Sequence, residues 1–119
     1  MLKDPRALVV LDGTEIIDER QYKGKDYEWI FIPKSVTIIK EHAFEDCKNL
    51  KEVVFEEGSK LEKIGYDCFN SSGLEEITLP RTLKNVGFDT FTGCKDLKTI
   101  YVEDGCKADL SDLEIQDSA

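Results

Sequence analysis

Apolar residues recur at matching positions in three segments of this chain, residues 36–44, 61–69 and 83–91. Each segment ends in a phenylalanine. An apolar comb follows it, such as the one that begins Leu74-x-x-Ile77, with hydrophobic residues in the first, fourth and sixth places. The phenylalanines stand 25 and then 22 residues apart. A repeat of this length predicts a solenoid, because one unit cannot bury its apolar face without a neighbour stacked on it.

Within each unit the pattern predicts three parts. Residues 61–64 predict a short strand with two inward apolar side chains. Gly65, or Gly87 in the next unit, then allows a sharp change of direction. The part that contains the phenylalanine predicts a single helical turn with the aromatic ring inside. The comb predicts a second strand with alternate side chains inward. Pro33 and Pro80 should end such strands, because proline cannot donate the next ladder hydrogen bond.

Stacking the units in register predicts interior columns of equivalent side chains. Three such columns are Phe44, Phe69 and Phe91; Ile39, Ile64 and Val86; and Val53, Ile77 and Ile100. Burial of each aliphatic or phenylalanine side chain contributes roughly 1.5–3 kcal/mol of transfer free energy. Packing therefore explains the repeated apolar positions without any catalytic role.

The length of the chain, 119 residues, predicts one domain that can bury its own core. We expect the following parts: residues 1–35 as an N-terminal cap and degenerate repeat, 36–106 as three repeats, and 107–119 as a C-terminal cap or tail. The degenerate repeat within residues 1–35 is polar where the other repeats are apolar. Terminal repeats often differ in this way because one of their faces meets water.

Both ends of the chain suggest caps for the stack. Residues 7–11 and 14–17, separated by Asp12-Gly13, predict a β-hairpin that seals the N-terminal end. Near the other end, Leu110, Leu113 and Ile115 predict a last edge strand that covers the stack, since an uncovered parallel edge invites aggregation. The final residues, 116–119, are expected to fray.

Composition and charge narrow the class of partner. The net charge is −9, and that field repels phosphate backbones and anionic lipid, so neither nucleic acid nor a membrane is the expected partner. A protein with a basic surface would be attracted instead. The plainer alternative is that the acids only keep an exposed sheet soluble. No apolar run approaches the ~20 residues that span a bilayer, so membrane insertion is not expected.

The four cysteines do not form a metal or disulfide signature. Cys47 and Cys94 occupy the same slot two coils apart, roughly 10 Å at the usual strand spacing, which is too far for a disulfide. Cys68 lies in a slot that needs a small inward side chain, and a pairing of Cys106 with Cys94 is left open. With no C-x-x-C and one histidine, His42, we expect neither a metal site nor a cofactor, and we interpret the thiols as small buried hydrophobes.

The framework L-x-x-I-G-x-x-A-F-x-x-C-x-x-L-x-x-I-x-L-P resembles the BspA-like, or Treponema-type, leucine-rich repeat family. The second unit fits it closely through Leu61, Ile64, Gly65, Cys68, Phe69, Leu74, Ile77, Leu79 and Pro80. The match is close over residues 36–102 and loose over 12–35. Lys40 stands where the family has glycine, and the turn at residues 71–73 is one residue shorter. The resemblance implies an α/β solenoid with a curved, mainly parallel sheet, in bacterial or protist surface and secreted proteins implicated in adhesion and protein binding.

Residues between the inward teeth of the combs should face outward. They predict one outward column of Phe31, Val54, Thr78 and Tyr101 beside a second column of Trp29, Glu52, Glu76 and Thr99. We hypothesise that Trp29, Phe31, Val54 and Tyr101 anchor a protein partner. Glu52 and Glu76 would favour basic groups on it. The alternative is that the N-terminal hairpin covers the first two aromatic residues and that the rest of the stripe, Thr78 included, only stabilises the sheet.

An enzyme is not expected. Glu52 and Glu76 could lie one coil apart, but an open sheet offers no pocket to perturb either carboxylate. No serine or cysteine forms a recognisable motif with His42, which is expected on the exposed side of the helical turn, and no glycine-rich phosphate loop is present. The remaining alternatives are a spacer module of a longer surface or secreted protein, if the chain is a fragment, and a small cytoplasmic interaction adaptor, if it is complete.

Overall fold

The computed structural model describes residues 6–111 and 113. In this part of the chain, nine short strands pair only in parallel. They are β1 Ala7–Val9, β2 Ile16–Ile17, β3 Trp29–Ile32, β4 Ile38–Ile39, β5 Glu52–Phe55, β6 Lys63–Ile64, β7 Glu76–Leu79, β8 Asn85–Val86 and β9 Thr99–Val102. The odd-numbered strands line one side of the solenoid, and β2, β4, β6 and β8 form a sheet on another. The predicted parallel solenoid is confirmed.

The aromatic column predicted from the sequence forms the spine of the core. Phe44 and Phe69 stack with ring centroids 5.4 Å apart, and Phe69 and Phe91 stack at 6.0 Å, with 3° between the planes in both pairs. All three side chains are fully buried. Tyr22 of the degenerate repeat continues the stack, 5.4 Å from Phe44. The degenerate repeat is therefore a true coil of the solenoid.

The two aliphatic columns are also inward. Ile39, Ile64, Val53 and Ile77 are buried, whereas Val86 and Ile100, which belong to the last coils, are half-buried against the core. An inward side chain of a comb is fully buried only where a coil covers it on each side. Burial therefore falls towards the C-terminal end of the stack, where fewer coils cover the side chains.

The predicted single helical turns are wrong, and with them the α/β class, because the described residues contain no helix. The amides of Phe44 and Asp46 donate to Cys68 O and Asn70 O of the next coil, both at 2.9 Å. A helix would send these amides back four residues within its own turn. His42 and Asp46 both have φ of 61°, and residues in the left-handed region cannot continue a right-handed helix. The segment is a run of turns whose alternate amides bond to the adjacent coil.

The predicted N-terminal hairpin is also wrong. β1 pairs in parallel with β3, with Ala7 opposite Trp29, and β2 pairs in parallel with β4. The first two strands therefore belong to different sheets of one coil. The Asp12-Gly13 turn is the corner between them, with Gly13 at φ 93° and its amide donating to Ser35 Oγ at 3.1 Å. Parallel addition satisfies the hydrogen bonds of both strands, so this coil covers the end of the stack without a hairpin.

The repeat glycines serve close packing between coils more than they serve a change of direction. A Cβ on Gly87 would lie 2.2 Å from Tyr66 N of the preceding coil, and one on Gly65 would lie 2.6 Å from Glu41 N. The left-handed conformation falls two residues after each glycine, at Asp67 (φ 55°) and Asp89 (φ 57°). The absence of a side chain therefore lets neighbouring coils approach at this corner.

The C-terminal segment packs against the core without forming the predicted edge strand. Leu110 and Leu113 are half-buried against the core, and Leu113 N donates to Leu110 O at 3.1 Å in a turn. No strand is assigned to residues 107–111 or to Leu113. Ile115 and residues 116–119 lie outside the described residues.

The four cysteines are free thiols, as the spacing of Cys47 and Cys94 predicts for that pair. Cys47, Cys68 and Cys94 are buried, and Cys106 is half-buried against the core. Cys94 Sγ lies 3.3 Å from the hydroxyl of Ser72, which fills the slot in the intervening coil. The pairing of Cys106 with Cys94 that the sequence left open is not formed.

The side of the solenoid that carries the long strands is interrupted between β5 and β7. β1, β3 and β5 form one sheet, and β7 and β9 form another. Beyond the paired residues, Glu56 N donates to Ile32 O at 3.0 Å and Glu103 N to Leu79 O at 3.1 Å. The equivalent position after β7 is Pro80, which has no N–H to donate to β5. The loop after β5 is also two residues longer than the loop after β7, and the two halves of the face separate at this point.

Candidate functional site

The outward face of the four-residue strands carries the residues that the sequence assigns to a binding surface. In β3 and β5, Trp29 lies opposite Glu52 and Phe31 opposite Val54. In β7 and β9 the corresponding pairs are Glu76 with Thr99 and Thr78 with Tyr101. Each predicted column therefore forms as two adjacent pairs, one on each side of the interruption. We refer to the surface formed by Trp29, Phe31, Glu52, Val54, Glu76, Thr78, Thr99 and Tyr101 as the strand face.

Exposure differs along the strand face. Tyr101 is 51% exposed at its C-terminal end, and Thr78 is also exposed. Trp29 and Phe31 stack with centroids 6.4 Å apart and are half-buried, as is Val54. β1 lies beside the two N-terminal aromatic residues as a neighbouring strand and leaves part of each in contact with solvent. The covering hairpin that the sequence allowed as an alternative is not present.

A cleft opens in the strand face where β5 and β7 separate. Its volume is about 260 Å³, and Val54, Thr78 and Pro80 line it together with the longer loop after β5. Glu56 and Glu103 also line the cleft, but their carboxylates cap corners of the solenoid. Each accepts a hydrogen bond of 2.9 Å, Glu56 from the amide of Lys34 and Glu103 from that of Arg81. The cleft gives the middle of the strand face a concave element.

Two acids of the strand face carry charge without a direct cation. Glu52 and Glu76 are exposed, and within residues 6–111 and 113 neither forms an ion pair. Lys51 instead pairs with Glu75, at 3.9 Å, just before the strands begin. The strand face therefore presents negative charge beside its apolar stripe.

A second exposed aromatic surface was missed by the reasoning from sequence. Tyr66 and Phe88 stack with centroids 5.2 Å apart and 4° between their planes, and they are 40% and 62% exposed. They follow the repeat glycines Gly65 and Gly87 directly, and that repeated position is the signal that could have identified them. They lie on a different side of the coil from the combs. We call this pair the corner aromatics.

The single histidine lies next to the corner aromatics, in a cluster of ionisable groups. His42 Nδ1 is 2.9 Å from Glu45 Oε1 and 4.0 Å from Asp67 Oδ2, and all three side chains are half-buried. Tyr66 meets the imidazole edge to face at 5.2 Å. His42 is therefore less exposed than the sequence suggested, because the next coil covers it.

The pKa of Glu45 reflects two opposing effects. Burial would raise the pKa, but hydrogen bonds from His42 and from Lys23, whose Nζ lies 3.2 Å from Glu45 Oε1, outweigh it and hold the pKa below its ordinary value. Glu45 is thus a carboxylate at neutral pH. The expectation of no zinc site rested on the count of cysteine and histidine ligands, and it could not foresee that Asp67, 25 residues away in sequence, lies beside His42.

Comparison with known proteins agrees with the architecture. The model of the BspA type leucine-rich repeat region matches residues 15–112 in six copies. A search of curated proteins found no match. The described residues contain no helix that is long and apolar enough to cross a bilayer.

Solved structures of similar fold belong to longer chains. Pneumococcal vaccine antigen PcpA is 26% identical with a TM-score of 0.76, over 88% of this chain and 30% of that one. A leucine-rich cell surface protein from Faecalibacterium prausnitzii A2-165 is 21% identical with a TM-score of 0.55, over 84% and 36%. The T. pallidum leucine-rich repeat protein TpLRR is 24% identical with a TM-score of 0.57, over 80% and 57%. This chain thus spans about a third of the first two. Because the family model covers most of its residues, the chain belongs to the BspA type leucine-rich repeat family.

Proposed function

We propose that this chain is a non-enzymatic protein-binding module that uses the strand face for adhesion or for contact with a host or partner protein. The observation that carries the proposal is the arrangement of the face. Solvent-accessible aromatic rings stand at both ends, at Trp29 and Phe31 and at Tyr101, with a cleft between them. Tyr101 faces outward from β9 and is 51% exposed, so its ring can contact a partner.

The chemistry of the strand face suits a protein partner with basic groups. Aromatic side chains are enriched among the residues that contribute most to protein interfaces. Glu52 and Glu76 flank them without bound cations, and the net charge of −9 attracts a basic partner over long range. We therefore assign anchoring to Trp29, Phe31, Val54 and Tyr101, charge selection to the two acids, and the rim of the cleft to Thr78.

The same features argue against catalysis as the purpose of the strand face. Its carboxylates lie on an open surface, where water solvates them and no enclosed site orients a substrate against them. Family membership supports this interpretation, since leucine-rich repeats act as interaction surfaces. We expect no turnover from this chain.

The setting we propose is the surface of a bacterial cell, or secretion from it. PcpA is named as a vaccine antigen, and the Faecalibacterium neighbour as a cell surface protein. The coverage of those chains, 30% and 36%, also favours a second candidate function, in which these coils act as a spacer within a longer surface protein. A small cytoplasmic adaptor is the remaining alternative. A spacer would need no binding face, so the same experiment separates it from the first proposal.

The test is capture of protein from host and bacterial lysates by immobilised chain, at low and high salt. A Trp29→Ala, Tyr101→Ala double variant should lose the captured protein, with at least a ten-fold fall in affinity when the purified partner is titrated. Phe88→Ala is the matched control, since it also removes an exposed aromatic ring but lies outside the strand face. Equal capture by wild type and the double variant would contradict the proposal, and loss of capture in Phe88→Ala alone would move the site to the corner aromatics.

A further inference from the structure

We propose that His42, Glu45 and Asp67 form a binding site for a divalent transition-metal ion of the zinc type. The site lies at the corner of the coils, away from the strand face, and is independent of the partner-binding proposal. It joins two successive coils, because His42 and Glu45 belong to one and Asp67 to the next.

The backbone brings the three ligands together. His42 and Asp67 hold the same slot in neighbouring coils, both in the left-handed region, with φ of 61° and 55°. Their amides make equivalent bonds to the following coil, His42 N to Tyr66 O and Asp67 N to Phe88 O. Equivalent backbones one coil apart project their side chains side by side. Glu45 returns to the same place across a tight turn, where its amide donates to His42 O at 3.3 Å.

The distances suit a single ion. One ligand atom from each of the three side chains lies within 4.8 Å of the other two, and His42 Nδ1 is 2.9 Å from Glu45 Oε1 and 4.0 Å from Asp67 Oδ2. Ligands about 2.1 Å from a tetrahedral zinc are about 3.4 Å from each other. Side-chain rotations that move one ligand atom by about 1 Å would therefore complete the arrangement without a change in the backbone.

Neighbouring groups already orient two of the ligands. Asn70 Nδ2 donates to Asp67 Oδ1 at 3.1 Å, which leaves Oδ2 directed towards the histidine. The ring of Tyr66 packs edge to face against the imidazole. Such outer contacts fix ligand orientation in metal sites and strengthen binding.

The donor set and its surroundings indicate the class of ion. One imidazole with two carboxylates suits zinc and similar transition metals, whereas calcium takes six to eight oxygen ligands. The three side chains are 16% to 21% exposed, which leaves a path for the ion and sites for water ligands. Lys23 Nζ, 3.2 Å from Glu45 Oε1, is the cation that the metal must displace.

The repeat supplies a matched control in the next coil. Asp89 holds the same slot as Asp67, with φ of 57°, and Thr92 Oγ1 donates to its Oδ1 at 3.1 Å. The slot beside it in the preceding coil holds Asp67 rather than a histidine. An Asp89→Asn variant therefore removes an equivalent carboxylate without removing a proposed ligand.

The experiment titrates ZnCl₂ into the metal-free, untagged chain by calorimetry, with Cys106→Ser as background because its thiol is only half-buried. We expect one zinc per chain and a rise in the unfolding temperature, since an ion that binds only the folded state stabilises it. His42→Ala and Asp67→Asn should each weaken binding at least ten-fold. Asp89→Asn should bind as wild type does, Lys23→Ala should bind more tightly, and CaCl₂ should bind at least ten-fold more weakly.

A direct readout does not depend on any variant folding. His42 is the one histidine of the chain, so its imidazole proton signals in the NMR spectrum are unambiguous. Saturating zinc should shift them in wild type. Imidazole signals that do not move, zinc binding that persists at full strength in His42→Ala, or calcium binding as tight as zinc would each overturn the proposal.

Discussion

The ring of Phe69 is stacked on that of Phe44, with centroids 5.4 Å apart and 3° between the ring planes, although 25 residues separate them in sequence. Phe91 continues the stack on the other side of Phe69 at 6.0 Å. The middle ring therefore packs against a coil above and a coil below. Its position sets the register of the repeat, because a shift of either neighbouring coil would separate the rings.

Truncation of this middle ring should be strongly destabilising. Phe69→Ala removes a fully buried side chain and leaves a cavity between two coils, so we expect the free energy of unfolding to fall by about 3–5 kcal/mol. Phe88→Ala removes a ring that is 62% exposed and should change it by no more than about 0.5 kcal/mol. Urea unfolding followed by circular dichroism compares the two. A loss below about 1 kcal/mol in Phe69→Ala would show that the aromatic spine does not organise the core.

The corner glycines should be sensitive to the smallest added side chain. A Cβ on Gly87 would lie 2.2 Å from Tyr66 N, so Gly87→Ala must push two coils apart and should cost about 1–3 kcal/mol. Lys40 holds the same slot two coils earlier and already carries a Cβ, so Lys40→Ala is the matched control and should be nearly neutral. Thermal unfolding of both variants makes the comparison. Equal effects at the two positions would contradict close packing as the reason for the glycine.

Repetition made the spine predictable from sequence, because Phe44, Phe69 and Phe91 recur with the same neighbours and a stacked coil has one place for them. The segment around each phenylalanine was harder. Its local pattern resembles a helical turn, and nothing in one unit shows that Phe44 N bonds to Cys68 O of another. The same limit applies to Asp12-Gly13, whose turn signal is correct but whose flanking strands pair with later coils.

The candidate sites show the same difference between features that follow from the pattern of one strand and features that depend on contact between coils. The outward columns follow from the alternation of each strand, so the pairing of Thr78 with Tyr101 could be foreseen. The interruption between β5 and β7 could not, because Pro33 lacks the same N–H after β3 as Pro80 does after β7, and β3 still pairs with β1. The cluster around His42 needs left-handed conformations at His42 and Asp67, which neither residue type makes obvious.

The strand face should tolerate loss of its most exposed ring without loss of stability. Tyr101 is 51% exposed, so Tyr101→Ala should change the free energy of unfolding by no more than about 0.5 kcal/mol. Binding of a partner captured by the wild type should weaken about ten-fold, as expected for an aromatic anchor. Titration of the partner into both proteins, alongside urea unfolding, separates the two effects. A large loss of stability with unchanged binding would assign Tyr101 to the sheet rather than to a partner.

Charge on the strand face should act mainly on the rate of association. Glu52→Gln with Glu76→Gln removes two exposed acids, so a basic partner should associate several-fold more slowly at low salt, and the difference should shrink as salt screens the field. Glu15→Gln with Asp96→Asn removes two exposed acids outside the strand face and its cleft and serves as control for net charge. Surface plasmon resonance at two salt concentrations measures both rates. An equal effect of the two double variants would mean that net charge, and not the strand face, attracts the partner.

Burial of the thiols should make both their reactivity and the stability of the fold depend on pH. Burial raises the pKa of Cys47 to about 11 and also raises that of Cys94, because the thiolate is poorly solvated there. At pH 8 we expect iodoacetamide to modify the half-buried Cys106 first and the three buried thiols slowly, as followed by mass spectrometry. In the unfolded chain the thiol of Cys47 has its ordinary pKa of about 8.5, which is below its pKa in the folded protein. The stabilisation linked to this thiol is therefore complete below that pH and is lost as the pH rises towards 11. Cys47→Ala should flatten this decline of the unfolding free energy with pH. Equal alkylation of all four thiols at pH 8 would show that the coils do not enclose them.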